Sequence, residues 1–200
     1  MKIYKNSYLV IMIFLLIAMA GIFFSITKTV GHSVNINDVV EKISESGDNC
    51  TFLQTEHIVS GVSMVPVLNP SDEILAFEGY YNCNSVERGD IVLVGFDWRD
   101  KPLVKFARGL PGDAFGLKQV EDKFNILING EVLVNSEGDA YVIDSKKADL
   151  ISLYIGDYDG VIPVNTYLIM GNDPRGTYDS TKFGLIGQSS LIAKVHSEKN

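Results

Sequence analysis

Histidine and cysteine are scarce in this chain of 200 residues, which holds three of the first and two of the second. His32, His57 and His196 are scattered, Cys50 and Cys83 stand well apart, and no CxxC or HExxH spacing occurs. No metal site is therefore expected, and no other cofactor. Two cysteines cannot make a disulfide scaffold, and their spacing leaves open whether they pair. Positive charge is short as well: 17 Lys and Arg face 25 Asp and Glu, for a formal net charge of −8. Without a Lys/Arg cluster there is no surface for phosphates, so nucleic acid is not an expected partner. The acidic surplus at Glu137, Asp139, Asp144, Asp149, Asp157 and Asp159 reads as a solubilising surface. Internal repeats are lacking too, which excludes solenoids and propellers.

Against this background one stretch stands out. Residues 8–26, YLVIMIFLLIAMAGIFFSI, carry no charge and have about the length that spans a hydrocarbon core of roughly 30 Å as a helix. Met1, Lys2 and Lys5 precede the run and only Lys28 follows closely. That bias predicts a cytoplasmic N-terminus at 1–7, a single-pass anchor in the lipid bilayer at 8–26, and an exported body. A cleavable signal peptide ending at Ala18-Met19-Ala20 is the alternative, but the apolar run continues past Ala20 through Gly21-Ile22-Phe23-Phe24.

Residues 27–55 are polar and read as a juxtamembrane linker, with a possible helix over 39–46. The folded body is expected over 56–200. Strands are expected at 56–59, 73–77, 91–96 and 103–108, with a turn at 97–101. Asn129-Gly130 between apolar runs signals a hairpin with a type I′ turn. Residues 138–155 read as short strands with acidic loops, 166–170 as a buried strand, and 171–181 as a polar loop. Short runs separated by Gly, Pro and Asn turns predict a mostly β fold.

Chemistry concentrates at Ser60-Gly61-Val62-Ser63-Met64-Val65-Pro66. A serine is a weak nucleophile and needs a base and oxyanion donors. Lys105 is the candidate base. On a strand it shares a face with Leu103 and Ala107, while Val104 and Phe106 point the other way. Burial among them disfavours the ammonium form and would leave a neutral amine able to take a proton. Thr177 is the candidate hydroxyl to orient that amine. The Ser63 N–H is the candidate oxyanion donor, and Gly61 leaves room for a substrate backbone.

In order, these stretches resemble the signatures of the type I signal peptidases, membrane-anchored Ser–Lys proteases. They are Ser63-Met64-Val65-Pro66-Val67-Leu68, Arg88-Gly89-Asp90-Ile91-Val92-Leu93-Val94, Val104-Lys105-Phe106-Ala107-Arg108-Gly109-Leu110-Pro111-Gly112-Asp113, and Met170-Gly171-Asn172-Asp173 through Asp179-Ser180-Thr181-Lys182-Phe183-Gly184. The resemblance implies Ser63 as nucleophile and Lys105 as general base, with Thr177 and Asp179 as supporting residues. It also implies a signal-peptidase/LexA-like β catalytic domain with a small inserted β region at about 114–165. There are departures. Val67 replaces the family's threonine, Gly61 replaces the serine of some members, and Thr181 stands where an arginine usually pairs with the aspartate, leaving Arg175 or Lys182 as substitutes. Asn172-Asp173-Pro174-Arg175 is similar to the related plasmid-transfer maturation peptidases.

The expectation is a monomeric, membrane-bound serine endopeptidase with its catalytic domain on the extracytoplasmic side of the cytoplasmic membrane. It would remove signal peptides from exported preproteins after small-x-small sites. The substrate strand would lie against Ser60, Gly61, Val62, Leu103 and Val104, with Met64 lining pockets that admit only small side chains. The alternatives are a maturation peptidase dedicated to a conjugative transfer system, a LexA-type self-cleaving protease and a non-catalytic membrane-tethered β-domain.

Overall fold

The chain folds around an antiparallel sheet that carries both the serine turn and the lysine strand. The computed structural model describes residues 43–46 and 50–197, with side chains from 51 to 196. The N-terminal segment 1–7, the expected anchor 8–26, the Ala20 cleavage alternative and the first part of the expected linker lie outside these residues.

The main sheet has eight strands in the order β1 (Ile43–Ser46), β2 (Cys50–Ile58), β3 (Glu73–Glu78), β12 (Leu191–Ser197), β4 (Ile91–Phe96), β5 (Arg99–Gly109), β10 (Thr166–Met170) and β11 (Ile186–Gly187). Its neighbours pair antiparallel throughout. A second sheet, inserted between β5 and β10, orders β6 (Phe115–Val120), β7 (Lys123–Ile128) and β8 (Glu131–Val132), and β9 (Val142–Ile143) pairs with β7. The β7–β8 hairpin turns at Asn129-Gly130, both in the left-handed region with φ of 53° and 83°, as the Asn-Gly signal requires.

The central strands read as continuous apolar runs because both faces of the sheet are covered. In β4, Leu93 packs with Met64, Leu68, Ile74, Ala76 and Phe106, whereas Val92 and Val94 pack with Tyr81, Ala107, Tyr167 and Ile169. The alternation expected for 103–107 holds: Val104 and Phe106 join the first group, Leu103 and Ala107 the second.

Three local expectations are corrected. Residues 145–157 form a helix, α1 (Ser145–Asp157), rather than short strands. Asp144 caps it by accepting a hydrogen bond from Lys147 N, and Ala148, Ile151 and Ile155 set one helical face against the inserted sheet and β10. Where the expected linker and the possible helix over 39–46 fall on described residues, 43–46 and 50–55 are strand, in β1 and β2. Of β2's outward-polar sequence only Phe52 and the following Val59 are buried, Phe52 meeting Phe77 and Tyr80 edge-to-face, so the strand lacks the alternation that would reveal it. The expected turn at 97–101 is shorter, since Phe96 pairs with Arg99 and β5 begins there. Cys83 is disulfide-bonded.

Candidate active site

β2 ends in a turn that the core holds from below. Met64 and Leu68 are fully buried, and Leu68 N donates to the Met64 carbonyl at 3.0 Å. Val62 and Val65 face outward. Ser63 therefore sits half-buried at the lip of the turn. Lys105 comes from β5, opposite Val92 of β4, and is 2% exposed. Its Nζ lies 2.6 Å from Ser63 Oγ and 2.8 Å from the Val104 carbonyl oxygen. Burial pulls the amine down from 10.5 to about 8; the negative charge of Asp179 opposes the shift and the positive charge of Arg99 adds to it. A hydroxyl in hydrogen-bond contact with an amine that loses its proton near pH 8 has the geometry for proton abstraction from Ser63.

The loop after β10 closes the site from the other side. β10 runs beside β5, with Met170 opposite Phe106, and delivers residues 171–179 next to the serine turn. Asp179, fully buried, caps the short helix α2 (Ser180–Phe183). Its carboxylate accepts five hydrogen bonds, from Gly171 N, Thr177 N and Oγ1, and Thr181 N and Oγ1. The Thr177 hydroxyl thus donates to Asp179 at 2.7 Å, and the amine it was expected to orient is held instead by the Val104 carbonyl. Thr181 stands where an arginine was expected, and both its hydroxyl and its N–H donate to Asp179 Oδ1. Arg175 pairs with Asp173 at 2.7 Å, and Lys182 is exposed.

Gly171 shows how tightly the two loops meet. A Cβ there would collide with Thr177 Oγ1 and stand 2.7 Å from the Ser63 carbonyl oxygen. Gly171→Ala must displace the Thr177 side chain, the serine turn or both. It is expected to lower kcat/KM at least about tenfold, since small displacements of reacting groups are costly, while circular dichroism stays native. Wild-type turnover in this variant would mean that the loops tolerate separation.

A groove of about 390 Å³ opens beside Ser63, and Ser60, Gly61, Met64, Leu103, Val104 and Lys105 all line it. Val62, also expected there, lines a second groove on the far side of the turn, with Val65, Asn172 and Pro174. His57, the histidine nearest the serine turn in sequence, lines the first groove, and so do Arg99 and Lys101, which sequence reasoning missed. His57 stands 3.0 Å from Thr55 Oγ1 through Nε2. Arg99 lies over the rings of Trp98 and Tyr178, at 5.9 and 5.3 Å from their centroids. The polar Arg99-Asp100-Lys101 run was the available signal, and reading it as a turn concealed it.

The family model described as signal peptidase, peptidase S26, matches residues 48–198. Signal peptidase I of Bacillus licheniformis is 30% identical over 144 residues, covering 70% of this chain and 73% of the relative. Signal peptidase IB of Staphylococcus aureus (strain COL) is 28% identical over 154 residues, covering 72% and 76%. The crystal structure of a signal peptidase I from Enterococcus faecalis aligns with a TM-score of 0.33 at 20% identity, covering 56% of this chain and 97% of that one.

Proposed function

The chain belongs to the signal peptidase family, peptidase S26, and on that footing we propose that it cleaves signal peptides from exported preproteins with Ser63 as nucleophile and Lys105 as general base. The observation that carries the reading is the 2.6 Å approach of a 2%-exposed Lys105 to Ser63. The neutral amine takes the Ser63 proton as Oγ attacks the carbonyl carbon before the scissile bond. Among the described residues no backbone acceptor takes the Ser63 N–H, which leaves it to hold the oxyanion. As the tetrahedral intermediate collapses, the Lys105 ammonium returns the proton to the leaving amine, and the mature chain departs. Lys105 then deprotonates a water that attacks the acyl-Ser63 ester, releasing the signal peptide and restoring both groups.

Specificity follows from the groove. An extended substrate lies between the edge at Ser60 and Gly61 and the edge at Leu103 and Val104, pairing through its backbone. Met64 and Leu93 floor the space beneath, so small side chains fit at the positions that point inward. The charge-free run at 8–26 anchors the chain and keeps the site at the outer membrane face, where cleavage sites emerge.

The test is digestion of a preprotein bearing an Ala-x-Ala site by the purified full chain in detergent, with N-terminal sequencing of the product. The expected result is a single cut after the second alanine, and none with Ser63→Ala at matched expression. A wild type that fails to cut, or an Ser63→Ala variant that still cuts, overturns the reading.

A further inference from the structure

Asn172 belongs to the loop after β10 and has no part in the proton transfers above, yet it is 1% exposed and joined on every polar atom. Two of its bonds go to the serine turn. Its backbone N–H donates to the Ser63 carbonyl at 2.6 Å, and Nδ2 donates to the Val65 carbonyl at 3.0 Å. The others go to the inserted region: Nδ2 donates to Ser136 Oγ at 2.9 Å, Oδ1 accepts from Ser136 N at 3.0 Å, and the carbonyl accepts from Asn135 Nδ2 at 3.1 Å. The Ser136 N–H can only donate, so it fixes which end of the amide is oxygen. The NH₂ end must therefore face Val65.

We propose that Asn172 is a positioning residue for the nucleophile: it grips the carbonyls of Ser63 and Val65, and so sets the angle at which the Ser63 hydroxyl meets Lys105. This rests on the reading of Ser63 as the nucleophile. The two gripped carbonyls lie on either side of Met64, whose buried side chain pins the turn from beneath. The core thus holds the turn from below and Asn172 holds it from the side. Without the side-chain bond the Val65 carbonyl loses its partner and the turn can roll on its Met64 anchor, carrying Oγ out of line with Nζ. Asn172 also lines the second groove, next to Val62 and Val65, and is the point where the inserted region reaches the serine turn.

The decisive variant is Asn172→Asp. It keeps size and keeps an acceptor for Ser136 N, but it sets a carboxylate oxygen against the Val65 carbonyl. The expected result is a fall in kcat of about 100-fold, the scale that a displacement of about 1 Å produces, with KM within about twofold. Asn172→Ala should show the same split. In Asn172→Ala, which adds no charge near Lys105, the acid limb of the pH–rate profile should stay in place, whereas the carboxylate of Asn172→Asp should raise it as Asp179 does. Ser136→Ala, which removes one partner on the inserted side only, should keep kcat within about twofold of wild type. Amide hydrogen exchange across 61–68 should quicken in both Asn172 variants and stay slow in β4 and β5.

Wild-type kcat in a folded Asn172→Asp, an equal loss in Ser136→Ala, a shifted acid limb in Asn172→Ala, or failure of the isosteric variant to fold would each overturn the positioning role. The first three mean that the grip on Val65 does not set the reaction, and the last makes Asn172 a residue of the fold. These outcomes differ from failure of the underlying reading, in which wild type does not cut or Ser63→Ala does.

Discussion

Lys105→Met is expected to abolish cleavage, by at least about 1000-fold in kcat/KM, while raising thermal stability at neutral pH. The first part follows from the proton. Methionine fills the same space but accepts nothing from Ser63, and a serine without its base is left with the oxyanion donor and substrate binding alone. The second part follows from linkage. In the folded chain the amine titrates near 8 rather than at 10.5. Above 10.5 neither state holds the proton, and below 8 both do. In between, the unfolded chain binds a proton that folded Lys105 does not, so stability rises with pH across that window. At pH 7 the fold therefore bears the whole penalty, on the order of 3 kcal/mol at about 1.4 kcal/mol per pH unit. Methionine removes it. The melting temperature should be several degrees above wild type at pH 7, and the gap should close as pH approaches 10.5. Unchanged turnover would remove Lys105 from the reaction. A lower melting temperature at pH 7 would show that the ammonium is not desolvated in the fold.

The burial of Lys105 was legible because it stands on a strand among the apolar Leu103, Val104, Phe106 and Ala107. The Asn129-Gly130 hairpin was legible because two left-handed residues need that pair. The surroundings were harder to read. Asn172 reaches Val65 across 107 positions, and no local pattern encodes a bond that only the packed fold creates. Asp179 was expected to need a cation, by resemblance, but Thr177 and Thr181 surround it with hydroxyls and backbone N–H groups two residues away on either side. Such short-range hydroxyl bonds are a recurrent device of threonine near aspartate, and the absence of the arginine drew attention away from them. Helix α1 was hidden in a different way. Its buried face consists of Ala148, Ile151 and little else, a stripe too thin against Ser145, Lys146, Lys147 and Asp149 to separate a period of 3.6 from the surrounding acidic loops.

The pH dependence separates a lysine base from any other, and its effect is large enough to decide the matter. With an ordinary value of 10.5, about 0.03% of Lys105 would be neutral at pH 7; at about 8 the share is about 9%. Burial thus supplies roughly 300-fold more of the reactive form, a gain worth the penalty in stability. kcat/KM should accordingly rise about tenfold per unit below pH 8 and level off above it. His57 is a rival, since it lines the same space as Ser63, and the ordinary imidazole range lies well below 8. The expected result is an acid limb near 8 that His57→Ala leaves in place. Arg99→Gln should move it upward, because the positive charge that disfavours the Lys105 ammonium is gone. The upward shift should fade in high salt, which screens a charge at the groove's edge. A limb well below 8, or one that disappears in His57→Ala, would make the base a histidine. Lys105 would then be no more than a buried hydrogen-bond partner of Ser63.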